Sequence, residues 1–292
     1  MKTVVLPAPA KLNLFLAVTG RRADGFHDVV SLVSQVSFGD TLRAEPADKF
    51  SVTCDDPAVP IDESNLVLRA ANAFVAAAGW KGGVKFSLEK RIPMGAGLGG
   101  GSSNAVAALR ALNLLAGAPL APAELAALAA GLGSDCALFL HEGPVVMRGR
   151  GERIEGLPSA AAARLRDRRV LIFKPGFGIA TPWAYARMAA RPSTYLAAPA
   201  AEAQLAAWLA DTDTRAEKLL FNNMESVAFG KFIALPTLLD QLRAEFGLAP
   251  RMSGSGSACF TLLSDGMSAE PIVDAIRAAW GESAFVFETT LA

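Results

Sequence analysis

The sequence predicts an α+β fold in two domains, on three observations. Both halves carry short stretches of alternating polar and apolar residues, the signature of strands with one buried face. Both halves also carry Ala- and Leu-rich helical stretches, and these do not fall into the regular strand–helix–strand rhythm of a parallel sheet. A polar segment bearing Gly and Pro near 149–160 separates the halves, which sets the expected domains at 1–155 and 156–292.

The elements follow in order. Lys11 to Val18 alternates at its start and reads as a strand, with Lys11, Asn13 and Phe15 on one face and Leu12, Leu14 and Leu16 on the other. A polar turn, GRRADGFHD, leads to VVSLVSQVSFGDTLRAEP, one or two further strands. Ser64 to Ala78 reads as a helix, capped by Ser64 or Asp62 and ended by Gly79. VKFSLEKRI alternates as a strand. After a glycine-rich segment come a helix ended by Gly117 and another from about Pro122 to Ala130, stopped by Gly131 and Gly133. GPVVMRGRG and RRVLIFKP read as strands. The segment from about 181 to 246 is largely helical, interrupted by Pro192 and Pro199. MSGSGSACFTLL is a glycine turn running into a strand, AEPIVDAIRAAWG a helix, and SAFVFETTLA a last strand.

Composition narrows the function classes. With 292 residues, 52% hydrophobic and 19% charged, the chain is not a disordered or solvating protein. Lys plus Arg and Asp plus Glu each total 28, which argues against a nucleic-acid-coating surface. Cys54, Cys136 and Cys259 form no CxxC pair, and with only His27 and His141 beside them no metal-ligand set is expected. So sparse a cysteine content suits a reducing cytoplasm. MKTVVLPAPA weakly mimics a secretory leader, but Pro7 and Pro9 interrupt its apolar run and Lys11 and Asn13 follow. No stretch reaches the roughly 18 apolar residues of a membrane span. The expected assembly is a monomer or weak homodimer, with no nucleic-acid or membrane partner.

The strongest chemical signal runs over Pro93, Met94, Gly95, Ala96, Gly97, Leu98, Gly99, Gly100, Gly101, Ser102 and Ser103, opening onto a helix. Glycines let backbone N–H groups turn inward around a large anion. The helix start adds free N–H groups and partial positive charge. Together these form a phosphate cradle. Ser102 and Ser103 are candidates to cap the helix, contact phosphate oxygens or help position a metal ion. A Walker A loop is excluded because no Lys follows the last glycine. GxGxxG matches literally at Gly95, Gly97 and Gly100, but the segment about 20 residues on reads as a helix and not as a strand ending in an acidic residue, so a nicotinamide or flavin oxidoreductase is not favoured. A protein kinase would need HRD and DFG motifs, and neither occurs.

Five segments in order, PAPAKLNLFL, GFHD, PMGAGLGGGSSNAVAAL, GSDCALFL and MSGSGSACF, resemble the GHMP kinase superfamily. The wording of the first three resembles members whose acceptor alcohol is joined to cytidine diphosphate. The resemblance implies a two-domain α+β fold with the active site in an interdomain cleft. It also implies ATP with Mg²⁺ as phosphoryl donor and a small-molecule alcohol as acceptor. Homoserine or sugar kinases of the same superfamily are the alternative.

Carried over by position, Lys11 and Asp135 match the catalytic lysine and aspartate. A carboxylate that accepts the proton of a poorly nucleophilic alcohol fits that role, and a nearby Lys favours the ionised carboxylate. On their own residues, Lys11 reads as a solvated strand lysine and Asp135 equally as a helix N-cap. Phe26 and His27 match an aromatic–His pair that holds cytosine; that position is often Tyr, so Phe26 keeps the stack and lacks the phenol. Their plain reading is a turn with a buried aromatic. Tyr185 falls where a second aromatic sandwiches the base. Asn13 matches a substrate-binding Asn, and Asn65 a position contacting adenine, though it also suits a helix start. Gly254 and Gly256 match the last glycine motif, read either as a tight turn or as a ligand contact. Asn104 stands where many relatives have Asp. A regulator that has lost catalysis is disfavoured by the retained Lys11 and Asp135.

Overall fold

The computed structural model describes residues 3–292; Met1 and Lys2 of the leader-like stretch lie outside the described residues. Strands and helices mix in both halves, as an α+β fold requires. The chain forms two compact units, each built from discontinuous segments. The first comprises residues up to Ala10, Phe38–Pro93 and Gly99–Glu142; the second comprises Lys11–Ser37, Met94–Leu98 and Gly143–Ala292. Two long strands, β1 (Val4–Arg21) and β2 (His27–Ala47), pass from one unit's segments into the other's.

In the first unit, β4 (Gly83–Glu89) lies between β3 (Ser51–Cys54), to which it is parallel, and the C-terminal part of β2, to which it is antiparallel from Thr41↔Glu89 to Ala47↔Gly83. Three helices contact one another: α1 (Leu66–Ala78), α2 (Gly100–Leu115) and α3 (Pro122–Leu132). α2 buries nearly its whole length from Ser103 to Asn113, because small Ala residues at 105, 107, 108 and 111 admit close neighbours. Phe74 and Phe86 are fully buried, and truncating such a ring costs about 3–5 kcal/mol.

In the second unit, β5 (Val145–Gly149) is antiparallel both to the N-terminal part of β2 and to β6 (Arg153–Gly156). A short helix α4 (Ser159–Ala163) precedes β7 (Arg169–Lys174). Helices α5 (Thr181–Ala189) and α6 (Ala198–Ala210) lead to β8 (Phe221–Asn222), which runs parallel to β1 through Phe15↔Phe221. After α7 (Glu225–Ala228) and α8 (Ala234–Phe246) come β9 (Arg251–Met252), β10 (Cys259–Leu262), α9 (Glu270–Trp280) and β11 (Phe285–Thr290). A four-stranded antiparallel sheet takes the order β11–β7–β10–β9. Its core gathers Phe173, Met188, Leu235, Leu239, Met252 and Ile276.

Several boundaries differ from the sequence expectation. β1 begins at Val4 and runs through Pro7 and Pro9, and both faces of Leu12–Val18 are buried, so alternation understated the strand. The segment expected as one or two strands is one strand of 21 residues that already begins at His27, within GFHD. The cap of α1 is Asn65, whose Oδ1 accepts from Val67 N–H; Asp62 is engaged by Ser64 instead. Gly131 lies inside α3, which ends at Gly133. Pro199 opens α6, in the first turn where its missing N–H costs nothing. Among the described residues no helix is long and apolar enough to cross a membrane.

Candidate active site

Lys11 and Asn13 sit on β1 in the second unit and are both buried. A buried ammonium needs polar partners. Lys11 Nζ donates to Asn13 Oδ1 at 2.5 Å, Asn13 Nδ2 donates to Ser31 Oγ at 2.9 Å, and Ser31 Oγ donates to the Phe15 carbonyl at 2.7 Å. This relay fixes both side chains on the strand. The middle of the glycine-rich loop, Met94–Leu98, belongs to the same unit and is tied to the strand by Lys11 N–H donating to the Leu98 carbonyl at 3.0 Å.

The MSGSG segment closes on the same place. Ser253 Oγ accepts from Asn13 N–H at 3.4 Å and donates to the Gly97 carbonyl at 3.2 Å, while Ala258 N–H donates to the Ala96 carbonyl at 3.0 Å. A Cβ on Gly97 would stand 2.3 Å from the Ser253 carbonyl oxygen, so no larger residue fits. At Gly254, φ is +57° and a Cβ would come within 3.3 Å of both Lys11 Nζ and Asn13 Oδ1. The segment is a turn between β9 and β10, and its backbone is fitted against the lysine. Asn222 Nδ2 holds it by donating to the carbonyls of Met252 and Gly254, at 2.7 and 2.8 Å. Nothing in the sequence marked Asn222 or Ser31, and Ser253 lies in the MSGSGSACF motif without having been singled out.

A second cluster in this unit surrounds His27. Phe26 is 49% exposed, which excludes the buried-aromatic reading, and the Arg150 guanidinium lies 5.1 Å from its ring centroid. The Arg22–Phe26 turn is braced by Arg22 N–H donating to the Phe26 carbonyl and Phe26 N–H donating to Asp24 Oδ1. His27 is buried, its ring centroid 4.8 Å from that of Tyr185 and its Nε2 3.0 Å from Tyr195 Oη. Burial, then the nearby Arg21 charge, lowers the His27 pKa and keeps the imidazole neutral at pH 7. Tyr195 is a further member that no motif pointed to. The structure thus brings His27 and Tyr185 together and leaves one large face-bearing ring, Phe26, open to solvent.

The first unit holds the remaining sequence-predicted residues. Asn65 caps α1 and its Nδ2 donates to the Pro60 carbonyl at 2.6 Å. Gly99, with φ +74°, is the N-cap of α2, with no side-chain cap. Ser102 and Ser103 therefore lie inside the first turn and do not cap it. No acidic residue occupies that turn, and Ser103 Oγ is buried with no hydrogen-bond partner. A helix start with no side-chain cap, no acidic residue in its first turn and an orphaned hydroxyl fits an anion such as a nucleotide phosphate.

Asp135 lies half-buried in the turn between α3 and a 3₁₀ turn, Ala137–Leu140. The N-cap position of that turn is Cys136, with no side-chain cap bond from its thiol. Burial pushes the Cys136 thiol up to about 11, against the hydrogen bond it shares with Ser102. Through that thiol the Asp135 turn is joined to the first turn of α2. Lys11 and Asp135 belong to different units. Among the described residues no three His, Cys, Asp or Glu side chains gather as a metal site. A cavity of about 400 Å³ in the second unit, lined by Phe15, Trp208, Lys218 and Phe221 among others, includes none of the residues singled out from the sequence.

Comparison with known proteins gives a consistent picture. The model of the GHMP kinases N terminal domain matches residues 65–143, and that of the GHMP kinases C terminal domain matches 199–282. The chain is 35% identical over 293 residues to a 4-diphosphocytidyl-2-C-methyl-D-erythritol kinase of Synechococcus elongatus, covering 96% of this chain and 92% of the relative. It is 35% identical over 272 residues to the enzyme of that name from Salinibacter ruber, covering 92% and 93%. A crystal structure of 4-(cytidine 5'-diphospho)-2C-methyl-D-erythritol kinase superposes with TM-score 0.77 at 37% identity, covering 99% of this chain and 100% of that one. Homoserine kinase from Cytophaga hutchinsonii superposes with TM-score 0.78 at 20% identity, covering 100% and 96%, a likeness of fold alone.

Proposed function

This chain belongs to the 4-diphosphocytidyl-2-C-methyl-D-erythritol kinases of the GHMP kinase family, and from that premise we propose that it phosphorylates the 2-hydroxyl of 4-diphosphocytidyl-2-C-methyl-D-erythritol, an intermediate of non-mevalonate isoprenoid synthesis. It is an ATP-dependent small-molecule kinase. The observation that carries the substrate is the exposed Phe26 ring beside the buried His27, which meets the half-buried Tyr185 and Tyr195. A flat polar base stacks on such a ring, and neither homoserine nor a simple sugar carries one.

In this reading Asp135 accepts the proton of the acceptor hydroxyl as its oxygen attacks phosphorus. Lys11, steadied by Asn13, supplies positive charge where negative charge develops. The Pro93–Ser103 loop and the start of α2 hold the nucleotide phosphates through backbone N–H groups, with Ser103 Oγ a further donor. ATP would supply the phosphoryl group; Mg²⁺, when bound, would neutralise part of the phosphate charge, and Ser102 and Ser103 are the loop residues that would help to position it. Asn65 is assigned to adenine, and Asn13, Phe26, His27 and Tyr185 to the acceptor. With Nε2 engaged by Tyr195, a base hydrogen bond from the imidazole falls to Nδ1. The enzyme is assigned to the cytoplasm as a monomer or weak homodimer, in keeping with three free cysteines.

The test is ADP release by purified protein with Mg-ATP, comparing the cytidylated acceptor with the same compound lacking its cytidyl group. Turnover only with the cytidylated compound is expected. Equal turnover with both would remove the base-clamp role, and no turnover with either would send the search to other alcohols.

A further inference from the structure

The residues that lead from β4 into the glycine-rich loop and the helix after it meet on one buried carboxylate that the mechanism above does not use. Asp40, on β2 in the first unit, is 2% exposed. Its Oδ2 accepts from Lys90 Nζ at 2.5 Å and from Asn104 Nδ2 at 2.9 Å. Its Oδ1 accepts from the backbone N–H groups of Arg91 at 2.7 Å and Ile92 at 2.8 Å. A carboxylate has about four acceptor sites, so these four donors saturate it. It has no lone pair to spare for a substrate proton or a metal.

The places of those donors give the group its meaning. Lys90, Arg91 and Ile92 are the last residues before Pro93, where the glycine-rich loop begins. Asn104 follows Ser103 in the first turn of α2, where the loop ends. Both stems of an eleven-residue loop are therefore pinned to one side chain. The stems also touch: a Cβ on Gly100 would lie 3.0 Å from Lys90 Nζ and 3.1 Å from Ile92 Cγ2. Lys90 Nζ, itself buried, donates once more to the Ile92 carbonyl at 2.9 Å. Burying an ion pair is a poor way to gain stability, since apolar side chains of similar volume do as well. What the pair supplies is a fixed spacing between two pieces of backbone.

We propose that Asp40 is a positioning residue for the nucleotide: by fixing the stems of the loop it sets the direction of the free N–H groups at the start of α2 and so the affinity for ATP. The amide of Asn104 is suited to this because it donates to the carboxylate without adding a second negative charge. The proposal rests on the kinase reading above.

The test is equilibrium binding of a non-hydrolysable ATP analogue, with steady-state kinetics, on the full-length protein and its Asp40→Asn and Asn104→Ala variants. Asp40→Asn should raise the analogue Kd and the ATP KM about tenfold, the scale of a lost charged hydrogen bond. Asn104→Ala should raise them about threefold, as for one neutral donor lost. Acceptor KM, and kcat at saturating ATP, should stay within about twofold of the parent, a split that general loosening of the fold does not produce. Should Asp40→Asn fail to fold, Asn104→Ala decides alone. Unchanged analogue affinity in the folded variants, or a fall in kcat with ATP KM unmoved, overturns the role of Asp40 and leaves the kinase reading intact. Failure of the parent protein to bind the analogue overturns both.

Discussion

The hydroxyl of Tyr195 lies 3.0 Å from Nε2 of His27, and the two side chains come from elements far apart in the chain, β2 and the stretch before α6. Tyr195 is thereby in a position to fix the imidazole orientation. Tyr195→Phe should raise the acceptor KM several-fold, about what one neutral hydrogen bond contributes, and leave the ATP KM unchanged. Steady-state kinetics with each substrate varied checks this; an equal rise in both would make Tyr195 a packing residue.

The same histidine carries a pH dependence. Burial and Arg21 lower its pKa in the folded protein, so the unfolded chain binds the proton more readily. Its contribution to stability is present above the unfolded value of about 6.5 and is lost as pH falls toward the folded value. Thermal unfolding at pH 7.5 and 5.5 should show a fall in Tm that shrinks in His27→Gln. An identical fall in that variant would assign the effect to other groups.

Phe26→Ala should raise the acceptor KM about tenfold or more, on the scale of one lost base–aromatic stack, with little change in the ATP KM. Because Phe26 is half exposed, its loss should change stability by no more than about 0.5 kcal/mol. A large drop in Tm would show that the ring supports the turn.

Asp135→Asn should retain the fold and nucleotide affinity and lose turnover by about 10²–10⁴-fold, the usual scale for a general base. Near-normal turnover in the purified variant would remove Asp135 from the mechanism.

Gly97→Ala should cost about 1–3 kcal/mol, because its Cβ would meet the Ser253 carbonyl, a backbone atom that cannot swing aside. Chemical denaturation measures it. A neutral result would mean that the loop shifts freely away from Ser253.

The chemistry was legible in the sequence because it rests on local order. A glycine run opening onto a helix is a local pattern suited to a phosphate, and the motifs around Lys11, Phe26, His27 and Asp135 carry the resemblance to the GHMP kinases without a structure. Fold class was legible for the same reason: the periods of strands and helices are local properties. Local signals failed where burial came from elsewhere. β1 does not alternate because both its faces are covered, and the cap of α1 went to Asn65 because Asp62 was already bonded to Ser64.

What the sequence by itself determined, then, is the fold class and the type of chemistry, that of a small-molecule kinase. Tertiary structure alone decided which side chains hold the candidate site residues in place. Tyr195 on His27, Asn222 under Gly254, Ser253 across Gly97 and Asp40 between the loop stems all act across gaps in the chain of some 30 to 170 residues or, for Asp40, about 50 to 64. Hydrogen bonds between such distant residues leave no periodic trace, because their geometry exists only once the strands that carry them have paired.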